Sequence, residues 1–318
     1  MLRGMQRSVL SWLARLGSAA VVLAAAQGPS ARGTADVPAA PATTNAAAPP
    51  VLVNAATLPY PVGEDITYQI YWGIIPVGRV RVVYERVEED GRALLAIRST
   101  ARSNRVLEKF YPVNDFIESI VDPATFLPVR FTKKISEGRY WTHEITTFNH
   151  AQRLAHFESK KSGIQRDYPI DADTRDIFTM MYYLRSQPFV AGTKPVYRVV
   201  ADEKLYDFTI DIQKEEKVKT DHYGSVASVK VEPQAAFQGL FIRKGRAWFW
   251  ISRDRRQLAV KMAAQVPVAS ISLVLDKVSG PGEDAWIKPA PAAPPAPSNA
   301  APPKVEQSIA EGRHDDQK

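Results

Sequence analysis

Cysteine is absent from the 318 residues. That absence excludes a thiol nucleophile, a CxxC redox pair, thiolate metal ligands, disulfide staples and the lipid-bearing cysteine of a bacterial lipoprotein. A folded part of roughly 230 residues needs no staple, because its apolar core is large enough without one. Histidine is scarce, and His143, His150, His156 and His222 would need Glu144 or Glu158 to complete a zinc site. Their spacing forms neither HExxH nor another compact ligand motif, so they read as exposed or singly hydrogen-bonded. No GxSxG elbow, dinucleotide fingerprint or GK[ST] phosphate loop occurs; FIRKGRAWFW lacks the repeated glycines such a loop needs. The adjacent carboxylates Asp171 and Asp173, Glu88 and Glu89, and Glu215 and Glu216 read as turns, caps or solvated faces. The expectation is a chain that is not an enzyme, with no catalytic residues, no cofactor, no metal site and its ligand-binding residues unassigned.

A long apolar run is missing too. Leu16–Ala26, preceded by Arg3, Arg7 and Arg15, falls short of the about 20 apolar residues that span a bilayer. Basic, then apolar, then small residues is the order of a secretory signal, cut after Ala26 or Ala31. A retained anchor is the alternative, because Val9, Leu10, Trp12 and Leu13 lie just upstream. After cleavage no transmembrane span is expected. The formal charge of +7 is partly the leader's, and basic and acidic residues alternate through the middle. A mixed, soluble surface rather than nucleic-acid binding follows.

What is present divides the chain into four: a signal over 1–31, an Ala/Pro-rich linker over 32–58, a β-rich domain over 59–287, and a tail over 288–318. The linker, with ADVPAAPATTNAAAPP, and the tail, with KPAPAAPPAPSNAAPP, carry too few large apolar groups to offset the ordering of their backbones.

Strand patterns fill the middle. Ile66–Trp72 opens them, a break is expected at Pro76–Gly78, and Arg79–Arg86 alternates between two faces. Glu88–Gly91 makes a turn before Ala93–Ser99, and Phe116–Val121, Val129–Ile135, Arg139–Phe148 and Arg153–Glu158 continue the rhythm. One segment differs: Ile177, Met180, Met181 and Leu184 form a helical stripe, with Asp173 or Thr174 as cap and Arg185 near the end. Tyr206, Phe208, Ile210 and Ile212 then alternate with polar residues, and Val226–Val231, Leu240–Phe241, Ala247–Ile251, Leu258–Met262 and Ser270–Leu275 extend the series. The fold class expected is mainly β: a strongly curved antiparallel sheet or incomplete β-barrel with one principal helix.

Three groups invite binding roles. Trp248 and Trp250 share one strand face, opposite Phe249, and suit either a barrel core or a ligand cavity. Lys244–Gly245 would turn the chain ahead of them. Arg79, Arg81, Arg98, Arg102 and Arg105 would form either a band for an anionic molecule or a distributed surface charge, and KFYPVNDFIES makes a rigid bend.

The stretches GEDITYQIYWGIIPVGRV, RSNRVLEKFYPVNDFIESIVD, FTKKISEGRY, DIFTMMYYLRSQPFVAGT, YGSVASVKVEP and FIRKGRAWFWISRDRRQLAVKMAAQVPVASISLVL, taken in order, resemble the DUF3108 family of exported bacterial proteins. They cover most of Gly63–Leu275. The resemblance implies a periplasmic address and a mostly antiparallel β fold, and it brings no reaction or catalytic set. Three functions are carried forward: a noncatalytic binding protein for a lipid or other amphiphile in envelope maintenance, an interaction module of an envelope assembly, and a cell-envelope hydrolase.

Overall fold

The computed structural model describes residues 53–201, 204–235, 246–266 and 269–281. The signal, the tail and the features expected at Leu240–Phe241 and Lys244–Gly245 lie outside the described residues. The folded part reaches back before Pro59, into the stretch assigned to a linker. Asn54 caps a 3-10 turn at Ala55–Thr57, the Val53 and Ala55 N–H groups donate to Thr125 and Pro123 carbonyls, and Leu58 is buried. Leu58 and Val53 pack with the main core.

Eight strands follow as a meander: β1 (Glu64–Trp72), β2 (Ile75–Glu89), β3 (Arg92–Ser103), β4 (Asn114–Val121), β5 (Pro128–Glu137), β6 (Tyr140–Asn149), β7 (Leu154–Ser159) and β8 (Gln165–Pro169). A short helix, α1 (Arg105–Glu108), lies between β3 and β4, and the longer α2 (Ile177–Leu184) follows the two-residue β9 (Arg175–Asp176). The second run comprises β10 (Val196–Ala201), β11 (Lys204–Thr220), β12 (Gly224–Ala235), β13 (Arg246–Ser252), β14 (Ala259–Val266) and β15 (Ala269–Ser279). β15 pairs with β1, so the two meanders form one 15-stranded sheet running from β8 to β9. Every neighbouring pair is antiparallel except β9 with β10.

Chain length forces the sheet to curl. β8 and β9 sit at opposite ends of the strand order, yet residues 170–174 join them. A flat sheet of that many strands would hold its edges roughly 65 Å apart, whereas the connection reaches only about 20 Å. The sheet therefore bends until its edges approach, giving the incomplete barrel expected. Side chains close the seam: Phe157, Tyr168 and Ile170 pack in one cluster with Val200 of β10.

The alternation read from the sequence sets the concave face. Ile66, Tyr68 and Ile70 of β1, Val80 and Tyr84 of β2, and Phe208, Ile210 and Ile212 of β11 are buried there. The break expected at Pro76–Gly78 falls earlier. Gly73 adopts φ of 60° and makes the turn, because a left-handed residue is easiest there for glycine, while Pro76 and Gly78 stay within β2.

Helix α2 is buried almost all round, at Ile177, Thr179, Met180, Tyr182, Tyr183 and Leu184. It packs into the concavity, so residues beyond the Ile177, Met180, Met181 and Leu184 stripe are buried as well. Its cap is Asp176, not Asp173 or Thr174, because Arg175–Asp176 first pairs as a strand and the helix cannot begin before it. The Asp176 carboxylate accepts from the Phe178 and Thr179 N–H groups and from the hydroxyls of Ser119 on β4 and Thr179. The other end of α2 is pinned by charge. Arg185 donates through both terminal nitrogens to Glu64 of β1, at 2.7 and 2.9 Å, and through Nε to the Arg256 carbonyl. The rings of Tyr60 and Tyr182 lie 4.1 and 4.9 Å from its guanidinium carbon. Burial alone would push the Arg185 pKa down, and the Glu64 carboxylate outweighs it and holds the group above its ordinary value.

Removing one partner of such a pair leaves a buried charge uncompensated. Glu64→Ala is expected to lower the unfolding free energy by about 3–5 kcal/mol in urea denaturation. The double replacement Glu64→Leu with Arg185→Met should recover part of that loss; equal stability of Glu64→Ala and the unaltered protein would contradict the assignment.

Candidate cavity beneath the buried helix

Between α2 and the concave face lies a cavity of about 120 Å³, part of it open to solvent. The helix contributes Ile177, Phe178, Met181 and Leu184, and the sheet contributes aliphatic and aromatic residues from both meanders, among them Val80, Phe208, Phe249 and Leu273. Polar groups in the wall are few: Ser99, Arg185, Gln257 and the phenols of Tyr68 and Tyr182. Arg185 is engaged with Glu64, and Gln257 donates to the carbonyls of Arg185 and Gln187. The Tyr182 hydroxyl is buried with no hydrogen-bond partner among the described residues. Such a space accepts an apolar chain by hydrophobic transfer.

β13 splits the aromatics differently from a shared cavity role. Phe249 lines the cavity. Trp248 and Trp250 point from the opposite face of the strand, where Lys230 lies 4.9 and 5.2 Å from their ring centres and the Trp248 Nε1 donates to Glu232. The alternation was legible, but which face was concave was not, since aromatics occupy both.

The arginines expected as a band are mostly spent on neighbours. Arg81 donates to Asp65, Arg98 to Glu85 and Glu118, and Arg79 to Gln69. The histidines do not converge either: His156 meets Asp167 at 2.6 Å, His222 meets Asp276 at 3.0 Å, and the His150 Nε2 contacts the Pro128 carbonyl. His143 lies on β6, its pKa lowered by burial and then by Lys134. Among the described residues no group of three or more His, Asp or Glu is placed to hold a metal ion. The adjacent carboxylates part as well, with Asp171 on Arg198, Glu215 on Arg253 and Glu216 on the Trp250 indole.

Two buried polar pairs were not anticipated. Lys133 of β5 meets Glu144 of β6 at 2.5 Å, with Thr142 donating to the same carboxylate. Asp115 and Glu137 are also buried, and share a hydrogen bond at the start of β4 and the end of β5. Burial pushes Asp115 up to about 6, against the Ser136 N–H and Glu137, which pull it down. Sequence distance conceals both pairs: register sets Lys133 opposite Glu144, and the Val113–Glu137 bridge brings Glu137 beside Asp115, two residues along β4. These pairs lie apart from the cavity wall.

A curled β domain with an apolar cavity beneath a buried helix is the class that fold and site define. The chain belongs to the family described as Protein of unknown function (DUF3108), whose model matches residues 67–276. Among solved structures, a beta-barrel-like protein of domain of unknown function DUF1849 from Brucella abortus is 13% identical, with a TM-score of 0.47. The alignment covers 69% of this chain and 98% of that one, and a likeness so distant assigns no role. No curated protein matches the chain.

Asp115 gives a pH dependence with a definite sign. Its folded pKa stands above its ordinary 3.8, so the folded state holds the extra proton between that value and about 6. Stability contributed by this group is therefore present at low pH and lost as pH rises through that window. Chemical denaturation across the window should show the decline, and Asp115→Asn should flatten it; an unchanged slope in the variant would contradict the pairing.

Proposed function

We propose that the protein is an exported, noncatalytic binding protein of the bacterial periplasm that takes the apolar chain of a lipid or other amphiphile into the cavity. The observation that carries this reading is the cavity itself: apolar side chains from one helix and both meanders surround it. An apolar cavity of about 150 Å³ stays dry and takes a small apolar group. The cavity is partly open to solvent, which supports an amphiphile over a plain hydrocarbon, because a polar head can stay in water while the apolar chain is buried. The leader supports export, and its basic, apolar and small regions follow the order that secretion requires. Among the described residues no helix is long and apolar enough to cross a membrane.

Native mass spectrometry of protein released from the periplasm by osmotic shock is expected to show a copurified amphiphile. Ala259→Phe places a ring in the cavity wall and should reduce that ligand roughly tenfold, a change of about 1.4 kcal/mol in binding, while circular dichroism stays β-rich. Absence from the shock fluid would overturn the address. Ligand-free protein, or ligand retained equally by the variant, would overturn the cavity's role.

A further inference from the structure

The meander places alternate turns at the same end of the barrel. One end of the first eight strands carries the β1–β2 turn, the α1 connection, the β5–β6 turn and the β7–β8 turn. These four are fastened side by side. Asn104 donates its N–H to the Val77 carbonyl at 2.8 Å and its side-chain amide to Pro76 at 2.6 Å. The Gly138 N–H donates to the Pro112 carbonyl at 2.8 Å, with the Tyr111 ring lying where a Cβ on Gly138 would sit. Lys161 reaches from the fourth turn to the Trp141 carbonyl at 2.6 Å. The result is one continuous rim.

Among the described residues that rim collects six of the eight exposed large hydrophobic groups. Ile74 is 92% exposed, Phe110 72% and Val106 71%, and Ile75, Trp141 and Ile164 are exposed beside them. Val190 and Val196 are the other large hydrophobics exposed among the described residues. The rim is also basic: Arg105, Lys109, Arg139, Lys160 and Lys161 are all exposed there, against Glu108 and against Glu158, which pairs with Lys160 at 2.5 Å. Lys161 lies 4.6 and 5.2 Å from the rings of Tyr140 and Trp141, so cation and aromatic surface are presented together. The turns at the opposite end of the same strands reverse the charge, with Asp90, Asp122, Asp171 and Asp173 against Arg153, and expose no large hydrophobic group.

From this polarity we infer that the β1–β2, α1, β5–β6 and β7–β8 rim docks the barrel end-on against an anionic lipid bilayer surface. Lysine and arginine gain from the negative headgroups, and isolated Ile, Phe and Trp side chains enter the boundary between headgroup and acyl chain. The acidic far end is repelled, which fixes the orientation. The inference is independent of whatever occupies the cavity.

The cysteine-free chain permits a direct test. An environment-sensitive fluorophore is attached to Phe110→Cys, or to Glu88→Cys near the far end, in the full chain. Vesicles of mixed phosphatidylcholine and phosphatidylglycerol are expected to shift the Phe110→Cys label to the blue and leave the Glu88→Cys label unchanged. Vesicles of phosphatidylcholine alone should have little effect, and salt should reverse the shift. Replacing Lys109, Lys160 and Lys161 by Glu should weaken the anionic-vesicle affinity by roughly 100-fold. No shift at Phe110→Cys, equal shifts at both labels, or a lipid-free shift that grows with protein concentration would overturn the inference, the last pointing to contact between copies of the chain.

Discussion

One buried carboxylate holds the molecule's inner layer in place. Glu64 stands at the start of β1, fully out of solvent, with Arg185 chelating it and Arg256 within 3.5 Å. Arg185 ends α2, Arg256 lies in the β13–β14 turn, and Arg256 also donates to the Pro281 carbonyl beyond β15. Three distant stretches of chain therefore converge on a single acid. A charge taken from water is tolerated only when its partners are fixed, so the pair dictates where the helix ends and how far it stands from the sheet. Asp176 performs the matching task at the helix start through Ser119 of β4. With both ends tied, the helix cannot collapse onto the sheet, and the apolar space beneath it follows from that spacing.

The curl of the sheet and the position of the helix depend on each other. Five residues between β8 and β9 bring the sheet edges together, and α2 begins immediately after β9. The chain thus leaves the seam directly into the concavity. Burial on nearly every side of α2 is a consequence of that route, and the phenol of Tyr60 reinforces it by donating to the Tyr182 carbonyl at 2.7 Å. The same geometry explains why the polar groups of the interior occur as pairs or capped sites: Lys133 with Glu144, Asp115 with Glu137, Asp176 with its hydroxyls.

Much of this was legible before the coordinates. Period-two alternation located the Arg79–Arg86 part of β2 and the first half of β11, and the Ile177–Leu184 stripe located the principal helix, because both signals depend on local periodicity alone. In β11 the alternation persists through Ile212, then shifts register before Glu215, which no local pattern marks. The four-residue α1 was not anticipated, since so short a helix leaves no stripe, and the bend read in KFYPVNDFIES begins just after it. The cavity was foreseen as a class of feature but not by residue: Phe249 and the neighbouring tryptophans are equally apolar, and only the direction of sheet curvature separates them. Glu64 and Arg185 looked like an ordinary strand acid and a helix-end base. Their meeting depends on tertiary closure, as does the rim, whose apolar residues are scattered through the sequence from Ile74 to Ile164 and gathered by topology.

Helix α2 is pinned at both ends and forms one wall of the cavity, so the amphiphile proposed to enter it would lie against Phe178 and Met181. Hydrogen–deuterium exchange of the Ile177–Leu184 amides, with and without a single-chain amphiphile, tests that proposal most directly. Exchange is expected to slow in α2 and β13 together when the amphiphile is added. Unchanged exchange in both elements, with the amphiphile bound at saturation, would overturn the proposed site.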